Sequence, residues 1–260
     1  TGGSMPTFVI LACLVQTPLF VPKCIHFCKP SERCSKLPEK ALYQQTGRSR
    51  WKAVTDEESL RAASHAKVKA TKSGAWIIPE GYAYNFDKAL TAFLASLWRG
   101  KQVVEVGAGI GCYSRALLWT GKLAGLAAYD GAANIGRLTR GLVTSLDVTM
   151  PNALAQCREH GSRPADWVFC MEVGEHIPPL KTDAFLDNIL GCAREGIVLS
   201  WAWNCKRGVG HVNCKTRDTL MSLMSTRGFE LDASNTTKIQ EAVELGYLRS
   251  TIFVFTRRRK

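Results

Sequence analysis

From residue 101 onward, two kinds of segment follow one another along the chain. Short apolar runs, bounded by Gly, Pro, Asn or Asp, alternate there with segments of helical periodicity. This pattern predicts an α/β fold, in which right-handed helical crossovers join parallel strands. The seven predicted strands are Gln102–Val106, Gly125–Tyr129, Leu142–Leu146, Ala165–Met171, Gly196–Ala202, Phe229–Ala233 and Arg249–Thr256. The helical segments between them are Tyr113–Thr120, Ile135–Arg140, Asn152–Glu159, Lys181–Arg194 and Lys215–Arg227.

The pattern before residue 101 is different. Residues 16–50 are rich in Pro, Lys, Ser and Cys with little periodicity, which predicts an irregular leader. Asp56–Val68 has acidic residues in its first turn and basic residues in its last, an order that favours a helix. Asn85 or Asp87 can cap a second helix that ends before Gly100.

We therefore expect three regions. Residues 1–50 form a basic leader, in which 1–4 resemble a cloning remnant ahead of Met5. Residues 51–100 form a helical cap, and residues 101–260 form the sheet domain.

Composition is that of a globular protein. The chain has 260 residues, 46% of them hydrophobic and 22% charged, and no apolar run approaches the roughly 20 residues that cross a bilayer. This excludes a polytopic membrane protein. The 34 basic and 22 acidic residues give a net charge of +12. Because no run of about five Lys or Arg occurs, we favour a solubilising surface over a nucleic-acid patch.

The leader contains two weaker signals. Cys24, His26, Cys28 and Cys34 are close together, but their spacing fits neither paired C-x-x-C knuckles nor a zinc finger. Residues 5–22 contain an apolar run of signal-peptide length, without the usual positive start or a clean cleavage site. The prediction is a cytoplasmic protein, with secretory targeting by residues 5–22 as the alternative. The cysteines that lie within apolar stretches are expected to be buried thiols.

The first chemical signal is a glycine-rich turn, Gly107–Gly111, between a buried strand and a helix. Such a turn lets a ligand approach the backbone and the N–H groups of the helix start. Cys112 stands where a dinucleotide-binding motif would have its third Gly. Glu105, two residues before the turn, suits a ligand with an ammonium group better than a pyrophosphate. No phosphate-loop motif is present.

Further acidic residues follow the next strands. Asp130 comes 19 residues after Gly111, where a carboxylate can accept hydrogen bonds from ribose hydroxyls. Asp147 ends the third strand, in reach of an adenine amino group, and Glu172–Pro178 follows the fourth. All lie at carboxyl ends of strands, where open α/β sheets bind ligands.

In this ordered combination, residues 75–256 resemble the class I S-adenosylmethionine-dependent methyltransferases. Tyr129–Ile135, Glu172–Pro178 and Gly210–Asn213 together resemble a subgroup of small methyltransferases. The resemblance implies a seven-stranded, mostly parallel sheet of order 3-2-1-4-5-7-6, with the last strand antiparallel and helices on both faces. It also implies S-adenosylmethionine as cofactor. The implied cofactor contacts are Glu105, Gly107, Ala108, Gly109, Gly111, Tyr113, Asp130, Gly131, Asp147, Val148 and Glu172.

His176 and His211 follow the fourth and fifth strands and are the candidate catalytic bases. A divalent metal is the alternative, because Glu172, Glu175, His176 and His211 would together offer carboxylate and imidazole ligands. That arrangement resembles metal-dependent O-methyltransferases that act on small RNA ends and quinone precursors. Gly174 and Pro178-Pro179 disfavour the regular helix that it would need, so a metal is not the favoured prediction.

We expect a small-molecule acceptor that is methylated at O or N. The candidate acceptor contacts are Trp76, Tyr82, Tyr84, Trp203 and Asn213. RNA methylation is the first alternative, supported by the net charge of +12. A non-catalytic binding protein that keeps the fold is the second.

Overall fold

The computed structural model describes residues 43–45, 50–53, 69–78, 83–155 and 165–259. The predicted helix over Asp56–Val68, Tyr82, the Cys24 cluster and residues 5–22 lie outside the described residues. Within these ranges, no helix is both long and apolar enough to cross a bilayer.

A seven-stranded sheet forms the centre of the fold. Its strands are β6 (Gln102–Val106), β7 (Gly125–Asp130), β8 (Val143–Ser145), β9 (Ala165–Cys170), β10 (Ala193–Ser200), β11 (Phe229–Leu231) and β12 (Ile252–Arg257). Their order is β11-β12-β10-β9-β6-β7-β8. Strand β12 runs antiparallel to both of its neighbours, β10 and β11, and the other pairs in this sheet are parallel. Counted from β6, this is the order 3-2-1-4-5-7-6, which confirms the predicted fold class.

Helices cover both faces of the sheet. The described residues form α1 (Lys88–Leu97), α2 (Cys112–Trp119), α3 (Ile135–Leu138), α4 (Thr182–Cys192), α5 (Arg217–Thr226) and α6 (Ala233–Ala242). Short 3-10 turns occur at Gly174–His176, Pro179–Lys181, Cys205–Arg207 and Gly246–Ser250. Asp87 caps α1 as predicted, because its side chain accepts a hydrogen bond from the Leu90 N–H at 2.8 Å.

One predicted helix needs correction, and one observed helix was not predicted. The segment predicted as a helix from Asn152 forms turns over its described residues, because Asn152 has a left-handed φ of 56° that interrupts helical backbone. Helix α6 has no counterpart among the predicted elements. Its sequence is rich in Ser, Asn and Thr, and of its residues only Thr236 and Ile239 are buried, so its apolar periodicity is weak.

The core lies in two layers, because alternate residues of each strand face opposite sides of the sheet. Val103 of β6 packs in the layer that contains residues of α1 and α2. Val104 and Val106 pack in the other layer, which contains residues of α4 and α5. Glu105 is the buried acidic residue within this apolar strand.

Short antiparallel strands precede α1. They are β1 (Tyr43–Gln45), β2 (Arg50–Ala53), β3 (Lys69–Ala70), β4 (Trp76–Ile77) and β5 (Ala83–Asn85), which form the sheets β1-β2-β5 and β3-β4. Strand β1 and the start of β2 fall within the segment predicted to be irregular. Strands of two to four residues are too short to show a period, and β5, which pairs with β2, is distant from it in sequence.

Candidate active site at the carboxyl ends of the strands

The glycine-rich turn joins β6 to α2 through backbone that glycine adopts at little cost. Gly107, Gly109 and Gly111 have φ values of 76°, 53° and 77°. The N–H groups of Gly107 and Ala108 donate to the Tyr129 carbonyl at 2.8 and 3.0 Å. These bonds fix the turn against the end of β7, next to the predicted ribose-binding carboxylate.

Asp130 ends β7 and is joined to the glycine turn by hydrogen bonds. One carboxylate oxygen accepts from the Gly109 N–H at 2.8 Å and the other from the Ala132 N–H at 2.9 Å. Burial raises the pKa of Asp130, and these two bonds oppose the rise. A carboxylate has about four acceptor positions, so it can still accept bonds from two hydroxyls. A Cβ atom at the neighbouring Gly131 would lie 2.6 Å from Ala75.

Glu105 lies behind the turn and is buried in β6. Its carboxyl accepts a hydrogen bond from the Ser114 hydroxyl of α2. Burial raises the pKa of Glu105 to about 8; the Asp130 charge adds to this rise and the Ser114 bond opposes it. A nearby ammonium group would favour the charged form of this carboxyl, so the site suits a cationic ligand.

Asp147 and Val148 follow β8, which pairs in parallel with β7. One oxygen of Asp147 accepts from both the Thr149 N–H at 2.9 Å and its hydroxyl at 2.6 Å. Val148 is buried, and its carbonyl accepts from the Asn188 amide at 2.8 Å. The segment after β8 is therefore held in a defined conformation at the same edge of the sheet as Asp130.

The two described tyrosines among the predicted contacts occupy different places. Tyr113 is buried; its hydroxyl accepts from the Asp87 N–H at 3.0 Å and its ring meets Phe169 edge-on at 5.5 Å. Tyr84 lies over the glycine turn, since a Cβ atom at Gly109 would be 2.6 Å from its ring. Tyr84, predicted as an acceptor contact, thus covers the turn where the cofactor is expected.

A second group of residues follows β9. Glu172 has a φ of 54°, a backbone conformation that is uncommon for residues with side chains and that clusters at functional sites. Its N–H donates to the Ser200 hydroxyl oxygen at 2.8 Å, and that hydroxyl donates to a carboxylate oxygen of Glu172 at 2.8 Å. Burial raises the pKa of Glu172; the Ser200 bond and the His211 charge oppose the rise.

Glu175 points into the protein from the 3-10 turn Gly174–His176. It is 0% exposed, and its carboxyl contacts the Glu172 carboxyl and the Ala202 backbone. Burial raises its pKa well above the usual value, and the Glu172 charge raises it further. A buried carboxylate of this kind is costly unless a cation or donor binds it.

His176 and His211 lie side by side. Their ring centroids are 4.9 Å apart, and Trp76 meets the His176 ring edge-on at 5.1 Å. The Nδ1 atom of His176 is 3.2 Å from the Gly210 carbonyl oxygen, which can only accept. This bond therefore places the ring proton on Nδ1 and leaves the Nε2 lone pair available. Burial lowers the pKa of His176 to about 4.

The loop that bears His211 packs against the Glu175 turn. The N–H groups of Val212 and Asn213 donate to the Glu175 carbonyl at 2.8 and 3.0 Å. Asn213 is buried, and its amide donates to the Thr182 hydroxyl oxygen at 2.9 Å. It holds the loop in place, whereas Trp203 is 56% exposed at the loop's other end.

These residues form a candidate cation site. Glu175, His176 and His211 each offer a ligand atom, and the three atoms lie within 4.8 Å of one another. We expected a regular helix to be needed to bring these ligands together, but the 3-10 turn Gly174–His176 is sufficient. The buried Glu175 carboxylate, paired with the Glu172 carboxyl, fits a divalent ion. So does the Nδ1–H bond of His176, since metal-bound histidines usually donate from the other nitrogen to a carbonyl or carboxylate.

Two features of the site had no sequence signal that we recognised. Tyr247 is hydrogen-bonded to Asn85, and its pKa is raised to about 12, first by burial and also by the Glu172 charge. Folding alone brings this tyrosine near Glu172. Cys205 and Cys214 form a disulfide around the His211 loop. This pair lies half-buried in a glycine-containing loop, outside the apolar stretches to which the expectation of buried thiols applied. Within those stretches, Cys170 is a buried free thiol as expected, whereas the expectation is wrong for Cys192, which is disulfide-bonded.

No protein-family model and no curated protein match the chain. Solved structures of similar fold include magnesium protoporphyrin IX methyltransferase from Synechocystis PCC 6803 with bound S-adenosylhomocysteine, at 16% identity and TM-score 0.48, over 65% of this chain and 80% of that one. The amino pentose methyltransferase CalS10 from Micromonospora echinaspora, with bound S-adenosylmethionine, is 13% identical with TM-score 0.47, over 65% and 90%. The N-methyltransferase NodS from Bradyrhizobium japonicum WM9, with S-adenosylhomocysteine, is 14% identical with TM-score 0.45, over 66% and 84%. These similarities concern the fold.

Proposed function

We propose that the chain is an S-adenosylmethionine-dependent methyltransferase. The observation that carries this proposal is the hydrogen bonding between the glycine turn and Asp130. The Asp130 carboxylate holds the turn through the Gly109 N–H and can still accept hydrogen bonds from ribose hydroxyls. Glu105 behind the turn adds a carboxyl that suits the cofactor's ammonium group. We also propose the three regions drawn from the sequence, with residues 101–260 as the cofactor-binding domain.

When bound, S-adenosylmethionine supplies an activated methyl group for in-line displacement. The chain then has to align the acceptor, exclude water and take up a proton. Asp130 and the glycine turn would hold the nucleoside and amino-acid parts. Tyr84 over Gly109 would shield this half from solvent.

For the acceptor half, we infer a divalent cation site in place of a base at His176, and a base at His211 is the alternative. His176 is a weak base, because its pKa is lowered to about 4, far below the neutral range in which a general base works best. The same neutral imidazole is a good ligand. Glu175, His176 and His211 would hold the ion, with Glu172 beside them, and a bound divalent ion would favour deprotonation of an acceptor hydroxyl.

A small apolar acceptor suits this surface better than RNA. Trp203, Val209 and Val212 are apolar, and their exposed fractions are 56%, 72% and 55%. All three lie within ten residues of His211 on its own loop. Exposed apolar side chains beside a polar site favour an organic ring or chain over a phosphate backbone.

The first test is calorimetry with S-adenosylhomocysteine on the full chain. We expect saturable binding by the wild type and by Glu241→Gln, an exposed position on α6 that serves as control. Absence of binding by the wild type would refute the methyltransferase proposal.

The second test measures release of S-adenosylhomocysteine from S-adenosylmethionine. Catechol-like compounds, amines and short RNAs would be offered with Mn²⁺ or with chelator. Turnover of a small acceptor that needs Mn²⁺ and is lost in Glu175→Gln supports the proposal, and turnover of RNA alone supports the first alternative. Cofactor binding without turnover of any acceptor class would favour the non-catalytic binding protein.

The cellular location stays a prediction. We predicted a cytoplasmic protein from the sequence, but the Cys205–Cys214 disulfide favours the oxidising compartment that secretory targeting implies.

A further inference from the structure

The loop between Cys205 and Cys214 contains one of the three candidate cation ligands, His211. We propose that this disulfide holds His211 in its ligating position, so that the cation affinity of the site depends on the redox state of the pair. This inference rests on the proposed cation site and assigns to it a means of control.

The two sides of the loop are anchored differently. On the carboxyl side, Val212 and Asn213 are hydrogen-bonded to the Glu175 carbonyl, and the Lys215 N–H donates to the Ala202 carbonyl at 3.1 Å. On the amino side, Cys205 is joined to Cys214 by the disulfide, and the Cys214 N–H is 3.1 Å from the Cys205 sulfur. The disulfide thus adds a covalent tie between the amino side of the loop and the carboxyl side, which hydrogen bonds fix against the Glu175 turn.

The position of His211 depends on the half that the disulfide ties down. A Cβ atom at Gly208 would lie 2.0 Å from the His211 ring, so the ring packs directly on the backbone of that glycine. The Gly210 carbonyl, in the same stretch, holds Nδ1 of His176 at 3.2 Å. A change in the path of residues 206–210 would therefore displace His211 and release the bond that orients His176.

The proposed control step is a thiol–disulfide exchange with a dithiol reductant. The Cys205–Cys214 bond breaks and takes up two electrons and two protons to give two thiols, while the dithiol loses the same and becomes a disulfide. The cross-link across a sequence separation of 9 is then lost. The loop gains conformational freedom, which must be given up again when a cation binds.

The test is titration of the full chain with Mn²⁺ by calorimetry. We compare oxidised wild type, wild type reduced with a phosphine that does not bind the metal, and Cys205→Ser/Cys214→Ser without reductant. The expected result is an affinity about 10-fold or more lower in the last two samples, the loss usual when a partner that orients a ligand is removed. Amide hydrogen exchange over residues 206–212 should accelerate in both.

Two controls make the result specific. Cys192 is also disulfide-bonded, so Cys192→Ala tests whether loss of another disulfide has the same effect; it should leave Mn²⁺ affinity unchanged. Binding of S-adenosylhomocysteine reports that each variant is folded. Equal Mn²⁺ affinity in oxidised wild type and the double variant would overturn this inference alone. Absence of Mn²⁺ binding by oxidised wild type would overturn the cation site and this inference together.

Discussion

Single residues with left-handed backbone mark both halves of the site. The three glycines of the turn could be predicted, because a buried strand followed by G-x-G-x-G requires such backbone. The left-handed φ of Glu172 could not, because no local pattern encodes it. In the folded chain this conformation occurs together with two hydrogen bonds to Ser200, a residue of a different strand. Sequence therefore identifies the carboxylate but not its orientation.

Asp130→Ala should weaken binding of S-adenosylhomocysteine by about 1–3 kcal/mol, the cost of leaving buried polar partners unsatisfied. The same change removes the acceptor of the Gly109 N–H, so the turn also loses its support. Calorimetry measures the effect. Glu241→Gln is the control, and an affinity of Asp130→Ala equal to wild type would contradict the assigned role.

Gly109→Ala should also reduce cofactor binding, because its Cβ atom would lie 2.6 Å from the Tyr84 ring and its φ is 53°. The backbone strain costs about 1 kcal/mol or more, and the ring must move as well. Adding Tyr84→Ala would remove the need to move the ring. We expect the double variant to bind S-adenosylhomocysteine more tightly than Gly109→Ala; equal affinities would show that Tyr84 does not restrict the turn.

Among the secondary-structure elements, strands with apolar runs and helices with a cap could be predicted from sequence. Contacts between elements that are distant in the chain could not. The seven sheet strands lie within three residues of their predicted ends, because buried apolar runs are a strong local signal. Helix α1 has a predictable cap at Asp87. That residue also accepts the Glu244 and Leu245 N–H groups at 2.7 and 2.8 Å, a contact across the chain that no local pattern shows.

Asp87→Ala should therefore destabilise the protein by more than a lost cap. A helix cap is worth about 1 kcal/mol, and two part-buried N–H groups left without an acceptor add about 1–3 kcal/mol each. The matched control is Asp232→Ala, because Asp232 caps α6 and its side chain accepts only from Asn235 among the bonds described. Urea unfolding compares the two, and equal losses of stability would refute the dual role of Asp87.

At the scale of the molecule, the order of strands explains why two distant motifs meet. The glycine turn follows β6, and the Glu172 segment follows β9, its direct neighbour in the sheet. A Cβ atom at Gly107 would lie 2.1 Å from the Val173 side chain, so the two segments touch. This convergence could be predicted from topology, whereas the closeness of Tyr247 and the disulfide-closed loop depends on packing that sequence alone does not reveal.

Buried carboxyls also set how the stability of the whole molecule depends on pH. The pKa of Glu105 is raised from 4.5 to about 8, so the folded state keeps a proton that the unfolded state loses near pH 4.5. The stabilisation of the folded state that this retained proton provides is complete below about pH 4.5 and is lost as pH rises through about 8. In the variant Glu105→Gln, the side chain has nearly the shape of the protonated carboxyl but cannot ionise. The stability of this variant relative to wild type, measured by urea unfolding, should therefore increase from pH 5 to pH 9. Parallel curves for Glu105→Gln and wild type would mean that Glu105 ionises as easily in the folded state as in the unfolded state.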